Sequence, residues 1–319
     1  MEVVKGFEWK PNKTVHEFVK DLSHVGFQSI ELFKACELIL KMKREHAKII
    51  FSFTSNLGTS GLSEFIAQLT KMKFFDIIIT TAGAIEEDIM KAMGEKFLIT
   101  SFNADDIELF EKGHNRVGNL IITNDSYQKF EGFMRKILLE IYKEKKRLSV
   151  SELIYKIGKK IEEKNLPNKE KSFIYWAYKN NIPIFCPAIT DGSIGFQLFL
   201  LQQDYKDFIV DIVADFGEAI FSLSQDDKKG LIALGGGVSK HFGLLMSLIN
   251  GGLDYAVYIT TARPQSGSMS GATTREAKSW GKIKDDSDAV TVFGDATILF
   301  PLIMHYVLDE LWKNSELKI

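Results

Sequence analysis

Lys282 stands in the segment Glu276-Ala277-Lys278-Ser279-Trp280-Gly281-Lys282-Ile283. A lysine beside an indole and an aliphatic side chain is a candidate for partial desolvation. Desolvation disfavours the ammonium form and makes the amine a nucleophile suited to imine chemistry. The plainer alternative is a surface lysine, one of 40 basic residues. A second candidate is Gly235-Gly236-Gly237-Val238-Ser239-Lys240-His241, which follows the apolar run Leu231–Leu234 and is expected to open a helix. It is not the dinucleotide fingerprint, because Lys240 occupies the place of the third glycine of GxGxxG. Adjacent glycines inside regular structure cost roughly 0.5–1 kcal/mol each, which points to a ligand or another backbone coming close; a flexible turn is the alternative. His241 adjoins this cluster, and a neutral imidazole there can move protons near pH 7. A helix-terminal histidine with no chemical role explains the position equally simply. Finally, Glu86-Glu87-Asp88 follow Thr81-Ala82-Gly83-Ala84-Ile85. We expect them in the first turn of a helix. They would either complement its dipole or point an acid into a site for a cationic substrate.

These residues share a position in one recurring pattern. An apolar, β-branched run ends in small polar residues, and a helical pattern follows. Ala47–Phe53 leads into Thr54-Ser55-Asn56-Leu57-Gly58-Thr59-Ser60-Gly61, and Phe74–Ile79 into Thr80-Thr81-Ala82-Gly83. Ile182–Cys186 leads to Thr190-Asp191-Gly192-Ser193, Tyr255–Ile259 to Thr260-Thr261-Ala262, and Val290–Phe293 to Gly294-Asp295-Ala296. Leu120–Ile122 is a shorter case. Strands so continuously apolar are buried on both faces, as in a parallel sheet covered by helices. Helical spacing runs over Val15–Met42, Tyr127–Lys145, Val150–Lys164 and Phe196–Leu223. The alternation implies an α/β, doubly wound, mostly parallel Rossmann-like sheet with helices on both faces, whose ligand lies beyond the strands' carboxyl ends. Small polar residues there suit phosphate and ribose, though each loop taken singly is explained by ordinary turn and cap chemistry.

Composition narrows the classes. The 45% hydrophobic and 26% charged residues describe a globular chain. Forty Lys+Arg against 42 Asp+Glu leave a net charge of −2, with no basic excess to hold nucleic acid or an anionic membrane. The charge-rich stretch Lys143–Lys171 reads as a solvated helical face. Cys36 and Cys186 form no disulfide framework, and no Cys/His cluster suggests a metal. Met1-Glu2-Val3-Val4-Lys5 has no apolar leader core, and Thr291–Leu308 is interrupted by Asp295 and His305, too broken to span a bilayer. We therefore expect a cytoplasmic protein. Length alone favours about two domains, but α/β folds of this size are often one. We expect a single domain over 1–319, with 1–45 a helical segment packed on it.

Taken together, the segments resemble deoxyhypusine synthase. The resemblance runs through T-S-N-L-x-x-S-G-L (54–62), T-T-A-G-x-I-E-E-D (80–88), P-A-I-T-D-G-S-I-G (187–195), G-G-G-V-x-K-H (235–241), D-Y-A-V-Y-I-x-T-A (254–262) and E-A-x-S-W-G-K-I (276–283). It implies an NAD-dependent transferase that moves the aminobutyl group of spermidine, through an enzyme-lysine imine, to one lysine of translation initiation factor 5A. By matched position Lys282 would form the imine and His241 would be an acid/base or orienting group. Glu87 would face cofactor and amine, with Glu86 beside it. Trp280 and Gly267 would line the polyamine channel and Glu276 would meet its amine end. Ser55, Asn56, Thr59, Thr81, Ala82, Gly83, Asp191, Gly236, Thr261, Ala262, Asp295 and Ala296 would hold NAD. The resemblance also implies a homotetramer, a dimer of dimers with active sites at the dimer interface.

The chain departs from the familiar eukaryotic pattern at three positions. Phe196 and Met269 stand where aspartates are expected, and Leu245 where an asparagine is expected. A buried ammonium left unpaired is costly, so Glu87 and Glu276 must suffice, or the substrate carries fewer charges or sits differently. The extra N-terminal segment of eukaryotic members is expected to be missing, as in archaeal-type enzymes. Two alternatives keep parts of this reading: aminobutyl transfer to a small amine, as in a homospermidine-type synthase, and a non-catalytic NAD-binding paralogue, against which Lys282 argues.

Overall fold

The computed structural model describes residues 3–317; Met1 and Glu2, the start of the stretch read above for a leader, lie outside the described residues, as do Lys318 and Ile319. The chain runs α1 (Val15–Asp21), α2 (Gln28–Arg44), β1 (Lys48–Phe53), α3 (Ser55–Leu57), α4 (Ser63–Lys71), β2 (Ile77–Ile79), α5 (Ala82–Ala92), β3 (Leu98–Ile99), α6 (Asp106–Glu111), β4 (His114–Val117) and β5 (Leu120–Thr123). It continues with α7 (Asn124–Glu144), β6 (Arg147–Ser149), α8 (Val150–Glu163), α9 (Phe173–Asn180), β7 (Ile184–Phe185), α10 (Ser193–Asp204), β8 (Ile209–Asp211) and α11 (Ile212–Phe221). The last elements are β9 (Lys229–Leu234), α12 (Val238–Ile249), β10 (Leu253–Thr260), α13 (Thr274–Lys278), β11 (Ile283–Phe293) and α14 (Ala296–Lys313). The fold is α/β. The chain divides into two compact units, one built from residues up to Phe53 together with those from Ile220 onward, the other from Thr54–Ala219.

In the first unit β11, β10, β9 and β1 lie side by side, all parallel. β1 and β9 are buried almost end to end, as their continuous apolar sequences require. Side chains alternate along a strand, and β10 shows both faces in use. Tyr255 donates its hydroxyl to Glu45 just beyond α2, whereas the ring of Tyr258, three residues on, lies under Lys240 of α12. Helices thus cover both faces. β11 begins at Ile283, earlier than the run Val290–Phe293 suggested, because after the buried Ile283 its first half carries no buried residue and so no apolar run.

In the second unit β2 pairs with β7 and β6 with β8, both parallel. Two expectations are corrected here. Leu120–Ile122 does not join a parallel sheet: it lies in β5, between β3 and β4 in an antiparallel sheet. Gly118, at φ 62°, and Asn119 form the two-residue turn that closes this hairpin, with glycine at the first central position as a type II′ turn needs. The stretch Phe196–Leu223 is not one helix. β8 interrupts it, and the Asp211 carboxylate accepts from Val213 and Ala214 N–H, capping α11. No described helix is long and apolar enough to cross a membrane.

α8 and α9 cross at Gly158. A Cβ built there would lie 2.6 Å from Tyr178 Cβ and 2.9 Å from the Ile174 carbonyl oxygen. Both neighbours belong to a packed helix and cannot yield cheaply. Gly158→Ala should therefore destabilise the protein by about 1–3 kcal/mol, despite alanine's better helix propensity. A urea titration checks this; an unchanged or higher midpoint would contradict the crossing.

Candidate active site

The Gly235-Gly236-Gly237 turn ends β9 and opens α12. Gly235 and Gly237 have φ of 75° and 72°, a region open chiefly to glycine. Between them, a Cβ on Gly236 would fall 2.3 Å from Ser270 Cα. The close approach expected of this cluster is thus made by another backbone, the segment carrying Met269 and Ser270. Gly237 is the N-cap of α12, offers no side-chain cap and has nothing within 4 Å of its Cβ position.

Beside this turn the first unit gathers a narrow cavity of about 10 Å³, lined by Leu244, Tyr258, Met269, Thr273, Glu276, Trp280 and Lys282. That is room for roughly one water, so a longer chain needs its most exposed wall, the indole of Trp280, to give way. Lys282 is only 6% exposed. Its ammonium lies 5.0 Å from the centre of the Trp280 ring, and among the described residues it has no carboxylate or hydrogen-bond partner. Lys240 is buried more deeply, at 1% exposed. Its Nζ donates to the Ala272 carbonyl (2.9 Å) and sits 4.6 Å from the centre of the Tyr258 ring. Burial and the neighbouring Lys282 push its ammonium down to about 8, against the pull of Glu276. His241, next along α12, is likewise lowered, first by burial and then by Lys282. The Tyr258 hydroxyl is buried with no partner among the described residues, and burial raises it well above the usual phenol range. The sequence reading missed Lys240 and Tyr258: among 40 basic residues no signal marks this buried lysine, and Tyr258 reads as one more core residue of a strand.

The second unit places Glu86, Glu87 and Asp88 in the second turn of α5, not the first, since the helix begins at Ala82. All three are buried, so the macrodipole reading fails. At about 100° per residue they fan out to different partners. Glu86 Oε1 accepts from Ile194 N–H at the start of α10 (2.9 Å), and Asp88 accepts from Ser172 Oγ and from the amides of Phe173 and Ile174 at the start of α9. Both are helix-end anchors. Glu87 lies 2.5 Å from Thr59 Oγ1, which itself reaches the Ser55 carbonyl at 3.1 Å. Thr59 has one proton for these two acceptors; a protonated Glu87 satisfies both by donating to Thr59. Burial pushes Glu87 up to about 7; the Thr59 hydroxyl and then Lys91 oppose the shift, and Glu86 reinforces it. Tyr127 of α7, raised to about 12 by burial and then by Glu87 and Glu86, is a further neighbour that the sequence reading missed.

The remaining assigned positions divide by unit. In the second, Ser55 N–H donates to Thr81 Oγ1, Asn56 Oδ1 accepts from Thr54, Ala82 and Gly83 open α5, and Asp191 is exposed before α10. A Cβ on Gly83 would press on the Ser55 side chain at 2.9 Å. Phe196 is exposed and stacks on Phe199. In the first unit Thr261 and Ala262 follow β10, with Ala262 N–H bonded to Thr260. Asp295 Oδ1 caps α14 through Thr297, Ala296 begins that helix, and Gly267, at φ 65°, ends a short 3₁₀ turn. Of the three departures, Met269 lines the lysine cavity. No group of metal-ligating side chains occurs among the described residues.

The family model for deoxyhypusine synthase matches residues 17–307. This chain belongs to the deoxyhypusine synthase family. It is 43% identical over 307 residues to a Pyrococcus furiosus protein named "Probable deoxyhypusine synthase", covering 93% of this chain and 91% of that one. It is 37% identical over 350 residues to the deoxyhypusine synthase of Kluyveromyces lactis, covering 94% and 90%. A crystal structure from Entamoeba histolytica, provisionally assigned to the same enzyme, aligns at TM-score 0.67 and 29% identity over 96% of this chain and 97% of that chain. Membership makes the protein a transferase.

The raised Glu87 carboxyl has a measurable consequence. The folded chain keeps this proton up to about pH 7, whereas the unfolded chain loses it near pH 4.3. Between those values the folded state holds more protons, so this group's contribution to stability falls as pH rises. Glu87→Gln removes that fall. Urea midpoints from pH 4 to 8 should show the variant gaining on the wild type as pH increases; parallel curves would contradict the shift.

Proposed function

We propose that the protein is an NAD-dependent deoxyhypusine synthase that carries the aminobutyl group of spermidine on Lys282 to a lysine of translation initiation factor 5A. The observation that supports this best is the buried ammonium of Lys282, without a carboxylate and covered by Trp280. A structural lysine at such depth is normally paired, whereas a lysine held as a free amine is a nucleophile for an imine carbon.

The residues fit the cofactor at one place the first unit shows by itself. The uncapped start of α12, with open space at Gly237, presents backbone amides and a helix dipole to a pyrophosphate. Asp295 Oδ1 is engaged with Thr297, and its second oxygen can accept from ribose hydroxyls. In the second unit Ser55, Asn56, Thr59 and Thr81 present the hydroxyl and amide groups that the resemblance assigns to the cofactor. Bound NAD supplies the reversible hydride acceptor for the carbon beside the donor's secondary amine.

The chain's own groups do the rest. Glu276 receives a terminal ammonium of the polyamine, while Met269 and Leu244 meet its methylenes. The Lys282 amine adds to the donor's imine carbon, a proton passes to the departing amine with His241 as its source, and 1,3-diaminopropane leaves. The acceptor lysine then displaces Lys282 by the same exchange, and the C=N bond is reduced, with no net oxidation over the cycle. Glu87, raised to about 7, both gives and takes a proton at neutral pH. Cytoplasmic action and a homotetramer belong to the same reading.

Lys282→Ala should abolish aminobutyl transfer to the factor while leaving NAD binding intact, as read by mass gain on the factor and by cofactor titration. Unchanged turnover would contradict the role. A small-molecule product formed equally with and without the factor would favour the homospermidine-type alternative.

A further inference from the structure

In the second unit, α5 grips one irregular turn at two points. The chain between α3 and α4, Gly58–Leu62, is a wide π-type turn, and Gly61 at φ 99° breaks its helical path. Such widened turns interrupt regular helical bonding and are frequent at functional sites. Thr59, buried within the turn, places its Oγ1 2.5 Å from Glu87 Oε2. A Cβ built on Gly58 would lie 3.9 Å from Ala84 and 4.0 Å from Glu87 Oε2. The turn therefore rests on the face of α5 that carries Glu87.

Lys91 lies one helical turn further along the same face. Residues at i and i+4 are natural ion-pair neighbours, yet among the described residues no ion pair joins Glu87 to Lys91. The Lys91 Nζ instead donates to the Gly58 carbonyl and to Ser63 Oγ, both at 2.8 Å. It also lies 5.0 Å from the centre of the Phe97 ring. Gly58 opens the turn and Ser63 is the first residue beyond it. One ammonium thus staples the two ends of the turn through charge-assisted bonds, and Thr59 lies between those ends.

We propose that Lys91 is a positioning residue that holds Thr59 against Glu87 and so fixes the Glu87 carboxyl in place for the reaction. The proposal rests on the reading of Glu87 as a group that gives and takes a proton. Lys91 acts through the turn and has no covalent step of its own. A staple that served stability alone would make the same bonds, so the two roles must be separated by their coupling to Glu87.

Two measurements do this on wild type, Lys91→Met, which keeps the stem without the donors, and Lys91→Arg, which keeps charge and donors. Lys91→Gln replaces the methionine variant if that one fails to fold, as judged by thermal melts. The first measurement is amide hydrogen exchange across 58–63 in the protein without substrates. Lys91→Met should exchange there about fivefold faster or more, and Lys91→Arg close to the wild-type rate. The second is kcat for mass gain on the factor at saturating NAD, with and without Glu87→Gln. Lys91→Met should lower kcat about tenfold, the scale of a lost charge-assisted bond, with the spermidine KM within about twofold. Arginine should restore most of the loss. In the Glu87→Gln background Lys91→Met should add less than about twofold, because both changes disable one unit. Unchanged exchange, unchanged kcat, or a full additional loss in the Glu87→Gln background would each overturn the proposal. If Glu87→Gln alone leaves kcat untouched, the reading of Glu87 falls and this role falls with it, while faster exchange would still mark Lys91 as a purely structural staple.

Discussion

A buried ammonium must find an acceptor set that replaces water, or it gives up its proton. Three lysines of this chain show how strongly the partners decide the outcome. Lys160 is buried among Glu140, Glu144 and Glu163, whose hydrogen bonds raise it above the ordinary lysine range against the opposing effect of its own burial. Lys229 has no carboxylate on its ammonium but donates to the carbonyls of Ser224, Gln225 and Asp227; it closes a turn and stays local. Lys282 is buried like them and has neither set. The difference lies in neighbours.

The scaffold leaves Glu276 as the one carboxylate lining the lysine cavity and concentrates buried acids elsewhere. α5 carries three consecutive buried acids. Two of them, Glu86 and Asp88, hold the amide ends of α10 and α9, where partial positive charge repays part of their desolvation. Gly192 shows how tightly: a Cβ there would fall 2.2 Å from Glu86 Oε1. The middle acid, Glu87, has a single hydroxyl partner in Thr59 and so stays poised between its two protonation states. One helix thereby combines two structural anchors with a carboxyl raised to about 7, and only the direction of each side chain distinguishes them. Lys91, one turn on, donates to the Gly58 carbonyl and Ser63, fastening the turn that presents Thr59.

Much of this was legible in the sequence. Apolar runs ending in small polar residues located β1, β7, β9 and β10, and the segments bearing Lys282, His241 and Glu87 were singled out before any geometry was known. Contacts between distant segments were not legible. The approach of Ser270 to Gly236 explains the triple glycine, yet the 33 residues between them hide it from any local pattern. Glu86 and Asp88 looked equivalent to Glu87 because residue type does not reveal which carboxylate meets a helix end. The hairpin at Gly118-Asn119 and the strand inside Phe196–Leu223 were missed because short strands carry too few residues for a period to emerge. Lys240 drew notice only as a glycine that was absent.

The central claim is chemical and concerns one nitrogen. It is tested most directly by incubating the protein with NAD and spermidine, reducing with borohydride and mapping the modified peptide. The account predicts a reduced aminobutyl adduct on Lys282 and on no other lysine. An adduct confined to Lys240, or no covalent adduct at all with NAD and spermidine bound, would contradict it.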